Sequence, residues 1–264
     1  MCHLGKKSLT EELIFFVHIP KTAGSSINHY LKKNLGKGYV HCEHFFLDEK
    51  KLRKNIQKSN WMSGHVTYNS ARIKLEKMGV EKPRFFSCVR KPDAQVMSHL
   101  NWLLAIRHKS LIFFKRHPKL VQDISNDIYL CGLDSKQQVL QVLQKYQWLF
   151  LNTQWNTILA PETEIDKVLV EQRLDCFEYI GTDTNISDLL MAMTGKHIKQ
   201  PKIANKSKYY FDTRIFQDDE IRDFLSSHNQ KDLYLYHRVK AKFQSSPIDV
   251  DSFISHDPPE ELGQ

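Results

Sequence analysis

Long hydrophobic segments are absent from this 264-residue chain. A transmembrane helix needs roughly 18 to 20 consecutive apolar residues, whereas apolar runs such as Leu13 to Val17 are only as long as a strand. The opening residues, MCHLGKKSLTEE, lack the apolar centre of a secretory signal. The sequence therefore predicts a chain with no membrane span and no visible signal or anchor, which we expect to be cytoplasmic.

Paired cysteines and zinc-binding motifs are also missing. The cysteines are odd in number, widely scattered and form no CxxC pair; they are Cys2, Cys42, Cys88, Cys131 and Cys176. This spacing argues against a disulfide framework or a zinc site, and it fits a reducing compartment. We therefore expect neither a disulfide nor a metal.

Negative charge is scarce relative to positive charge. The chain has 38 Lys and Arg against 30 Asp and Glu, a formal charge of +8. An excess of this sign favours anionic ligands such as nucleotides, polyanionic sugars or nucleic acid. No recognised nucleic-acid motif accompanies the charges, so we do not expect a nucleic-acid partner. The hydrophobic share of 41% is ordinary for a globular protein.

The C-terminal segment 249–264 differs from the rest of the chain. It holds five Asp or Glu residues, two prolines and no Lys or Arg, which is typical of a solvated, flexible tail. Without these negative charges the remaining body would carry +13. No internal repeat or low-complexity linker divides residues 1–248, so we expect one domain followed by an acidic tail.

Short apolar runs alternate with amphipathic stretches over the first two-thirds of the chain. This alternation is typical of an α/β fold with a mainly parallel sheet, and we expect a P-loop-like, three-layer α/β/α arrangement. Strands are predicted at Leu13–His18, Trp61–Ser63, Arg84–Val89 and Phe177–Ile180. Helices are predicted at Ser25–Leu35, Asn69–Met78, Pro92–His108, Gln137–Leu149, Ile165–Leu174, Ile186–Thr194 and much of Asp218–Phe243.

A candidate phosphate-binding loop lies in LIFFVHIPKTAGSS, residues 13–26, where an apolar strand meets small residues that open a helix. Small side chains let consecutive backbone N–H groups point inward, the helix start adds about half a positive charge, and Lys21 adds a full one. Lys21 precedes Gly24 instead of following it, which departs from GxxxxGK(S/T) and disfavours a Walker-type NTPase. The alternative is an ordinary strand–turn–helix with a surface lysine.

A second strand-to-helix turn lies in RFFSCVRKPDAQVMSHL, residues 84–100. Pro92 and Asp93 suit the first turn of a helix. Arg90 ends the strand and Ser98 follows about two helical turns later, so a guanidinium and a hydroxyl could hold one phosphate together. Taken alone, Arg90 is more often a surface ion-pair partner and Ser98 an ordinary helix serine.

Together, HIPKTAGSS and CVRKPDAQVMSHL resemble the two motifs that bind 3′-phosphoadenosine 5′-phosphosulfate (PAPS) in the carbohydrate sulfotransferase superfamily, nearest the heparan-sulfate 2-O-sulfotransferase-like group. The resemblance implies a sulfotransferase-like domain over residues 1–248. Such an enzyme would transfer a sulfuryl group from PAPS to a hydroxyl or amine acceptor and release adenosine 3′,5′-bisphosphate, with no metal expected.

The resemblance also assigns roles to residues of the two motifs. It implies that Arg90 and Ser98 bind the 3′-phosphate of the nucleotide. Lys21 would further neutralise charge on the oxygen that leaves sulfur. The residues implied at the 5′ end of the nucleotide are Lys21, Thr22, Ala23, Gly24, Ser25 and Ser26.

Softer matches extend the resemblance along the chain, in YIGTDTNISDLLMAMTG, IANKSKYY and DLYLYHRV. The second of these is similar to a late loop that closes over the nucleotide. It implies that Asn205, Lys206 and Ser207 lie near the cofactor. An exposed turn is the alternative, because NKS is a common tripeptide.

The reaction needs a base, because an acceptor hydroxyl loses its proton as it attacks sulfur. His65, in WMSGHVTYNS, follows a short strand and Gly64, so it should lie where the strands end and ligands bind. A Gly-His pair after a strand also resembles the position of the family's catalytic base. His18 and His99, which adjoin the two motifs, are the rival candidates.

Two basic segments, Lys50–Lys58 and Arg107–Lys119, are candidates for guiding an anionic acceptor, although charge runs are more often solvated helix faces. A glycan, a small metabolite, a lipid and a peptide all stay open as acceptors. Two alternative functions also stay open. One is a P-loop-type nucleotide kinase or phosphotransferase, and the other is a non-catalytic protein that binds nucleotides or anionic glycans.

Overall fold

A computed structural model of the chain describes residues 12–161, 163–197 and 208–244. At its centre is a five-stranded sheet in the order β2-β3-β1-β4-β5, in which all neighbouring strands are parallel. The strands are β1 (Ile14–Val17), β2 (Gly38–Tyr39), β3 (Trp61–Gly64), β4 (Arg84–Val89) and β5 (Tyr179–Thr182). The predicted parallel sheet is confirmed, whereas the predicted acidic tail, 249–264, lies outside the described residues.

Helices connect and surround the strands. In chain order they are α1 (Gly24–Asn34), α2 (Glu49–Ile56), α3 (Tyr68–Lys77), α4 (Pro92–Lys109), α5 (Leu111–Lys115), α6 (Lys119–Cys131), α7 (Lys136–Lys145), α8 (Gln147–Phe150), α9 (Thr153–Ile158), α10 (Lys167–Leu174), α11 (Ile186–Thr194), α12 (Asp219–His228) and α13 (Gln230–Phe243), with 3₁₀ turns at Cys42–His44 and Thr213–Gln217. Within the described ranges, none of these helices combines the length and apolarity that crossing a bilayer requires.

The side chains of β1 alternate between the two faces of the sheet, and both sets are buried. Phe15 and Val17 belong to the core on one face, and Ile14 and Phe16 to the core on the other. A strand buried on both faces has to be apolar at every position. This explains why the strand appears in the sequence as an uninterrupted apolar run.

Helices cover both faces of the sheet, which gives three layers. On one face α2, α3, α9, α10 and α13 pack against the strands through side chains such as Leu75, Trp155 and Leu235. On the other face α1 and α11 do so through Ile27 and Leu189. The predicted α/β/α architecture is therefore confirmed.

A further helical cluster lies in the long connection between β4 and β5 and in α12. Leu100 of α4, Ile128 of α6, Val142 of α7 and Leu225 of α12 share one buried core. Because α4 begins directly after β4, the helix that carries Ser98 is fixed by this packing as well as by the sheet.

The structure adds elements that the sequence analysis did not predict, namely β2, α2, α5, α6 and α9. Most are too short for a hydrophobic period to show, since β2 has two residues, α5 five and α9 six. The predicted strand Phe177–Ile180 was also misplaced, because β5 begins at Tyr179. Phe177 instead packs in the core beside the sheet.

One predicted helix was wrong in its continuity, and the region predicted to be largely helical near the C-terminus consists of two helices. The segment Gln137–Leu149 breaks at Tyr146, whose hydroxyl donates to Asp127 Oδ2 at 2.6 Å. The segment Asp218–Phe243 breaks at Asn229, whose buried side-chain oxygen accepts the N–H of Asn152 at 2.6 Å. In both cases a tertiary hydrogen bond holds a backbone conformation that local helix propensity does not foretell.

A buried carboxylate joins α13 to α9. Asp232 has no exposed surface, and it accepts the N–H groups of Gln154 and Trp155 at 3.3 and 2.7 Å. These amides belong to the first turn of α9 and have no partner inside the helix. Burial raises the pKa of Asp232 to about 7, whereas its hydrogen bonds with these two N–H groups favour the charged form.

We expect Asp232→Ala to lower the free energy of unfolding by about 1–3 kcal/mol, because two buried N–H groups lose their acceptor. Asp223→Ala, at an exposed position on α12, is the matched control and should change it by less than about 0.5 kcal/mol. Urea denaturation followed by circular dichroism measures both. Two equally small effects would contradict the bridging role.

Candidate functional site

The predicted motifs meet at one edge of the sheet. The neighbours β3, β1 and β4 are parallel, so their carboxyl ends lie side by side. From β1 the chain enters α1 on one face of the sheet, whereas from β3 it enters α3 on the other. A reversal of this kind opens a crevice at the strand ends, where ligands bind in open α/β sheets.

A cleft of about 460 Å³ occupies this crevice. It brings together most of the predicted site residues, namely Lys21, Ala23, Gly24, Ser25, Ser26, His65, Arg90 and Ser98, and the rival bases His18 and His99. Thr22 is not part of the lining, because its buried hydroxyl donates to the carbonyl of Ile19 at 2.9 Å. Asn205, Lys206 and Ser207 fall outside the part of the chain that the structure describes.

The loop before α1 has an uncommon backbone conformation. Lys21 and Ala23 both have a φ of 69°, in the left-handed region that residues other than glycine seldom adopt. The Ser26 N–H donates to the carbonyl of Ala23 at 3.0 Å, whereas the N–H groups before it cannot reach an acceptor inside the helix. The first turn of α1 carries no acidic residue. The positive end of the helix is therefore available to an anion.

Gly24 is required by a close contact within this loop. A Cβ atom at Gly24 would lie 1.8 Å from Nε2 of His18, a distance at which neighbouring atoms must move. The His18 ring also stacks on Phe16, with ring centres 5.7 Å apart. The buried imidazole thus lies directly against the start of α1.

Lys21 is the cationic side chain of the loop. Its Nζ lies 5.9 Å from the centre of the Trp102 ring, on the wall formed by α4. Burial lowers the pKa of Lys21 to about 8, and the positive charges of Arg90 and Lys109 act in the same direction. Lys21 is therefore protonated at neutral pH. Burying its charge costs free energy, and a bound anion would offset that cost.

Arg90 is held by its backbone as well as by its side chain. Gln154 accepts the Arg90 N–H at 2.8 Å and donates to the Arg90 carbonyl at 2.9 Å. The guanidinium lies with Nε 3.0 Å from the carboxylate of Asp183, and its Nη1 donates to the carbonyl of Lys21 at 3.4 Å. Asp232 in turn accepts the N–H of Gln154. The buried side chains of Asp232 and Gln154 therefore fix the position of the Arg90 backbone.

His65 has one ring nitrogen engaged and one available. Its Nδ1 lies 2.8 Å from the carbonyl oxygen of His18. A carbonyl only accepts, so Nδ1 carries the hydrogen and Nε2 carries the lone pair. Partial burial lowers the pKa of His65, although the nearby Glu43 carboxylate opposes this. The ring is therefore neutral at pH 7 and able to accept a proton.

The two rival bases are less available. His18 and His99 are both buried, and the Nδ1 of each lacks a hydrogen-bond partner among the described residues. Burial lowers the pKa of His18 well below its ordinary value and that of His99 to about 3. Rings this weakly basic hold a proton poorly, which favours His65 among the three.

The cleft also contains residues that the sequence analysis missed. Trp102 lies one helical turn beyond Ser98, so its spacing on α4 was the available signal. Asp183 directly follows β5 and therefore lies where the strands end. His41 comes from HCEH, a run of polar side chains after β2, and β2 is too short to have been predicted.

Comparison with known proteins gives distant structural likenesses only. No protein-family model matches the chain, and no curated sequence matches it significantly. A sulfotransferase from Alicyclobacillus acidocaldarius is similar over 93% of this chain and 99% of its own, with 12% identity and a TM-score of 0.40. Mouse sulfotransferase SULT7A1 complexed with PAP is similar over 94% of this chain and 89% of its own, with 10% identity and a TM-score of 0.35. Likenesses this distant do not establish a shared activity.

Proposed function

We propose that this protein transfers a sulfuryl group from PAPS to a hydroxyl or amine acceptor. The observation that carries the proposal is the grouping of three side chains in one cleft, Lys21 after β1, His65 after β3 and Arg90 after β4. Two separate cations suit a nucleotide that bears phosphate at both its 3′ and 5′ positions. The resemblance of the two motifs to those of sulfotransferases supports the same assignment.

The residues of the cleft fit such a nucleotide. Lys21 and the amino end of α1 would hold the 5′-phosphosulfate, and Arg90 with Ser98 would hold the 3′-phosphate. An arginine has five N–H donors, and the described residues engage Arg90 through Nε and Nη1, which leaves Nη2 for a ligand. Thr22 would contribute through its backbone alone. A contribution from 205–207 rests on the resemblance only.

The chain's own groups supply the proton transfer and the charge stabilisation. Bound PAPS would provide an activated sulfuryl group attached to a phosphate leaving group. His65 Nε2 would accept the proton of the acceptor hydroxyl, while the hydrogen bond to the His18 carbonyl keeps the ring oriented. Lys21 would neutralise the negative charge that develops on the departing oxygen. Much of the remaining acceleration would come from positioning the reactants.

The segment Arg107–Lys119 is the better placed of the two basic segments for binding an acceptor. Lys109 lies close enough to Lys21 to affect its pKa, and its Nζ is 4.9 Å from the centre of the Phe113 ring. Neither basic segment contributes a residue to the lining of the cleft, so the closeness of Lys109 to Lys21 is what favours Arg107–Lys119. A cation beside aromatic rings suits an anionic acceptor with an apolar face, such as a carbohydrate or a small metabolite.

Nucleotide selectivity tests the proposal most directly. Adenosine 3′,5′-bisphosphate should bind at least about 10-fold more tightly than AMP, because a charge-assisted contact from Arg90 is worth about 1.5–3 kcal/mol. Isothermal titration calorimetry compares these ligands with ATP and Mg²⁺. Equal affinities for all three would remove the sulfotransferase assignment. A preference for ATP with Mg²⁺ would favour a nucleotide kinase, and binding of labelled PAPS without transfer to any screened acceptor would favour a non-catalytic protein.

Substitutions at Arg90 and His65 should separate binding from chemistry. Arg90→Ala is expected to weaken binding of adenosine 3′,5′-bisphosphate roughly 10- to 150-fold. His65→Ala is expected to leave this affinity nearly unchanged while turnover falls on the order of 100-fold or more. Calorimetry and a transfer assay measure the two effects, with thermal melting as the control for folding. Loss of nucleotide binding in a folded His65→Ala protein would place His65 in the nucleotide pocket, and full turnover would favour His18 or His99 as the base.

Lys21 should give nucleotide binding an alkaline limit. Below pH 8 the lysine is protonated and attracts the anionic ligand, whereas above its pKa of about 8 the neutral amine does not. Affinity for adenosine 3′,5′-bisphosphate should therefore fall as pH rises from 7.5 to 9.5. In Lys21→Arg the decline should disappear, because a guanidinium stays charged over this range. Titrations across the pH range test this, and an identical decline in both proteins would assign it to another group.

A further inference from the structure

Three potential metal ligands converge at the mouth of the cleft. After β2, His41 directly precedes the 3₁₀ turn and Glu43 lies within it, while His65 directly follows β3. One ligand atom from each of the three lies within 4.8 Å of the others. His41 is half-exposed, with 51% of its side chain accessible, so an ion from solvent can reach the cluster.

The cluster is held in place by contacts that do not use all of its ligand atoms. Glu43 Oε2 accepts the backbone N–H of His65 at 3.0 Å, and Glu43 Oε1 lies 3.1 Å from His41 Nδ1. His65 directs its Nδ1–H to the His18 carbonyl. Metal-binding histidines usually donate their second ring N–H to a carbonyl or carboxylate in this way, which leaves His65 Nε2 for an ion.

Close packing at Gly64 keeps the two segments together. A Cβ atom at Gly64 would lie 2.5 Å from Cys42 Sγ and 2.6 Å from Glu43 Oε2. Only glycine therefore lets the turn that carries Glu43 approach the end of β3. His41 itself has a φ of 57°, a left-handed conformation that histidine adopts more readily than most residues.

We propose that His41, Glu43 and His65 form a binding site for a divalent transition metal such as Zn²⁺, and that the bound metal blocks the His65 nitrogen. Two imidazoles and one carboxylate are a donor set that Zn²⁺ takes in proteins. Ligand atoms around a tetrahedral Zn²⁺ lie about 3.4 Å apart, so the largest separation has to shrink by no more than roughly 1.4 Å. Rotation of the half-exposed His41 ring supplies such a movement.

Occupancy by the metal has a consequence that rests on the proposed function. A lone pair bound to Zn²⁺ cannot accept a proton, so the metal would inhibit sulfuryl transfer by occupying the base. The site itself does not depend on that function. Metal binding and catalytic inhibition can therefore be tested separately.

Isothermal titration calorimetry with Zn²⁺ tests the site in the full-length chain after treatment with a chelator. All variants, including the parent, carry Cys131→Ser and Cys176→Ser, which remove the accessible thiols among the described residues. His41→Asn keeps a residue that tolerates the left-handed backbone, and Glu43→Gln keeps an oxygen for the His65 N–H. Each should weaken Zn²⁺ binding at least about 10-fold. His44→Asn is the matched control, because His44 is exposed on the same turn but is not in the cluster. It should bind Zn²⁺ as the parent does.

A second measurement needs no cluster variant. Side-chain ¹⁵N NMR of the parent should show Zn²⁺-dependent shifts of His41 and His65 and not of His44. Undetectable binding at micromolar Zn²⁺, equal affinity in all variants, or shifts confined to other histidines would overturn the site. If Zn²⁺ binds at the cluster and the chain transfers no sulfuryl group, the site stands and the proposed function fails. If transfer continues at full rate with Zn²⁺ bound, the inhibitory role fails instead.

Discussion

The central strand β1 is the constraint on which the rest of the structure depends. Phe15, Phe16 and Val17 have no exposed surface, and fully burying a side chain of this size contributes about 1.5–3 kcal/mol. A one-residue slip of β1 would exchange the side chains of its two faces, so its register is strongly fixed. Because Val17 pairs with Gly64 on one side and Ser87 on the other, the three central strands end at nearly the same level. The turns that follow β1, β3 and β4 therefore lie next to one another.

These turns place the positive charges of Lys21 and Arg90 near each other, which is unfavourable for the free energy of folding. Holding Lys21 protonated in the cleft costs on the order of 3 kcal/mol relative to water, judged from its lowered pKa. Within the described cleft lining, Asp183 is the acidic side chain, and it already pairs with Arg90. An anion at the start of α1 would offset the cost at Lys21. The electrostatics of the cleft thus favour an anionic ligand, and under the proposed function Lys21 and Arg90 would each bind one of its two anionic groups.

The sequence was sufficient for the features that a local pattern encodes. The apolar run of β1, the small residues before α1 and the position of Arg90 at the end of β4 each follow from periodicity or turn chemistry. The approach of Glu43 to His65 could not be predicted, because it depends on the pairing of a two-residue strand, β2, and on contact across Gly64. Long-range contacts of this kind leave no periodic signal in one sequence.

The structure positions the candidate site residues partly through their backbones, which leaves some of their side-chain atoms for ligands. Gln154 satisfies both the N–H and the carbonyl of Arg90, and Glu43 satisfies the N–H of His65. The Arg90 guanidinium is engaged only in part, by the Asp183 carboxylate and the Lys21 carbonyl, and the His65 ring is held through Nδ1. This arrangement depends on groups outside the cleft, such as the buried Asp232, which accepts the N–H of Gln154. Residues that never touch a ligand therefore determine how accurately the cleft is built.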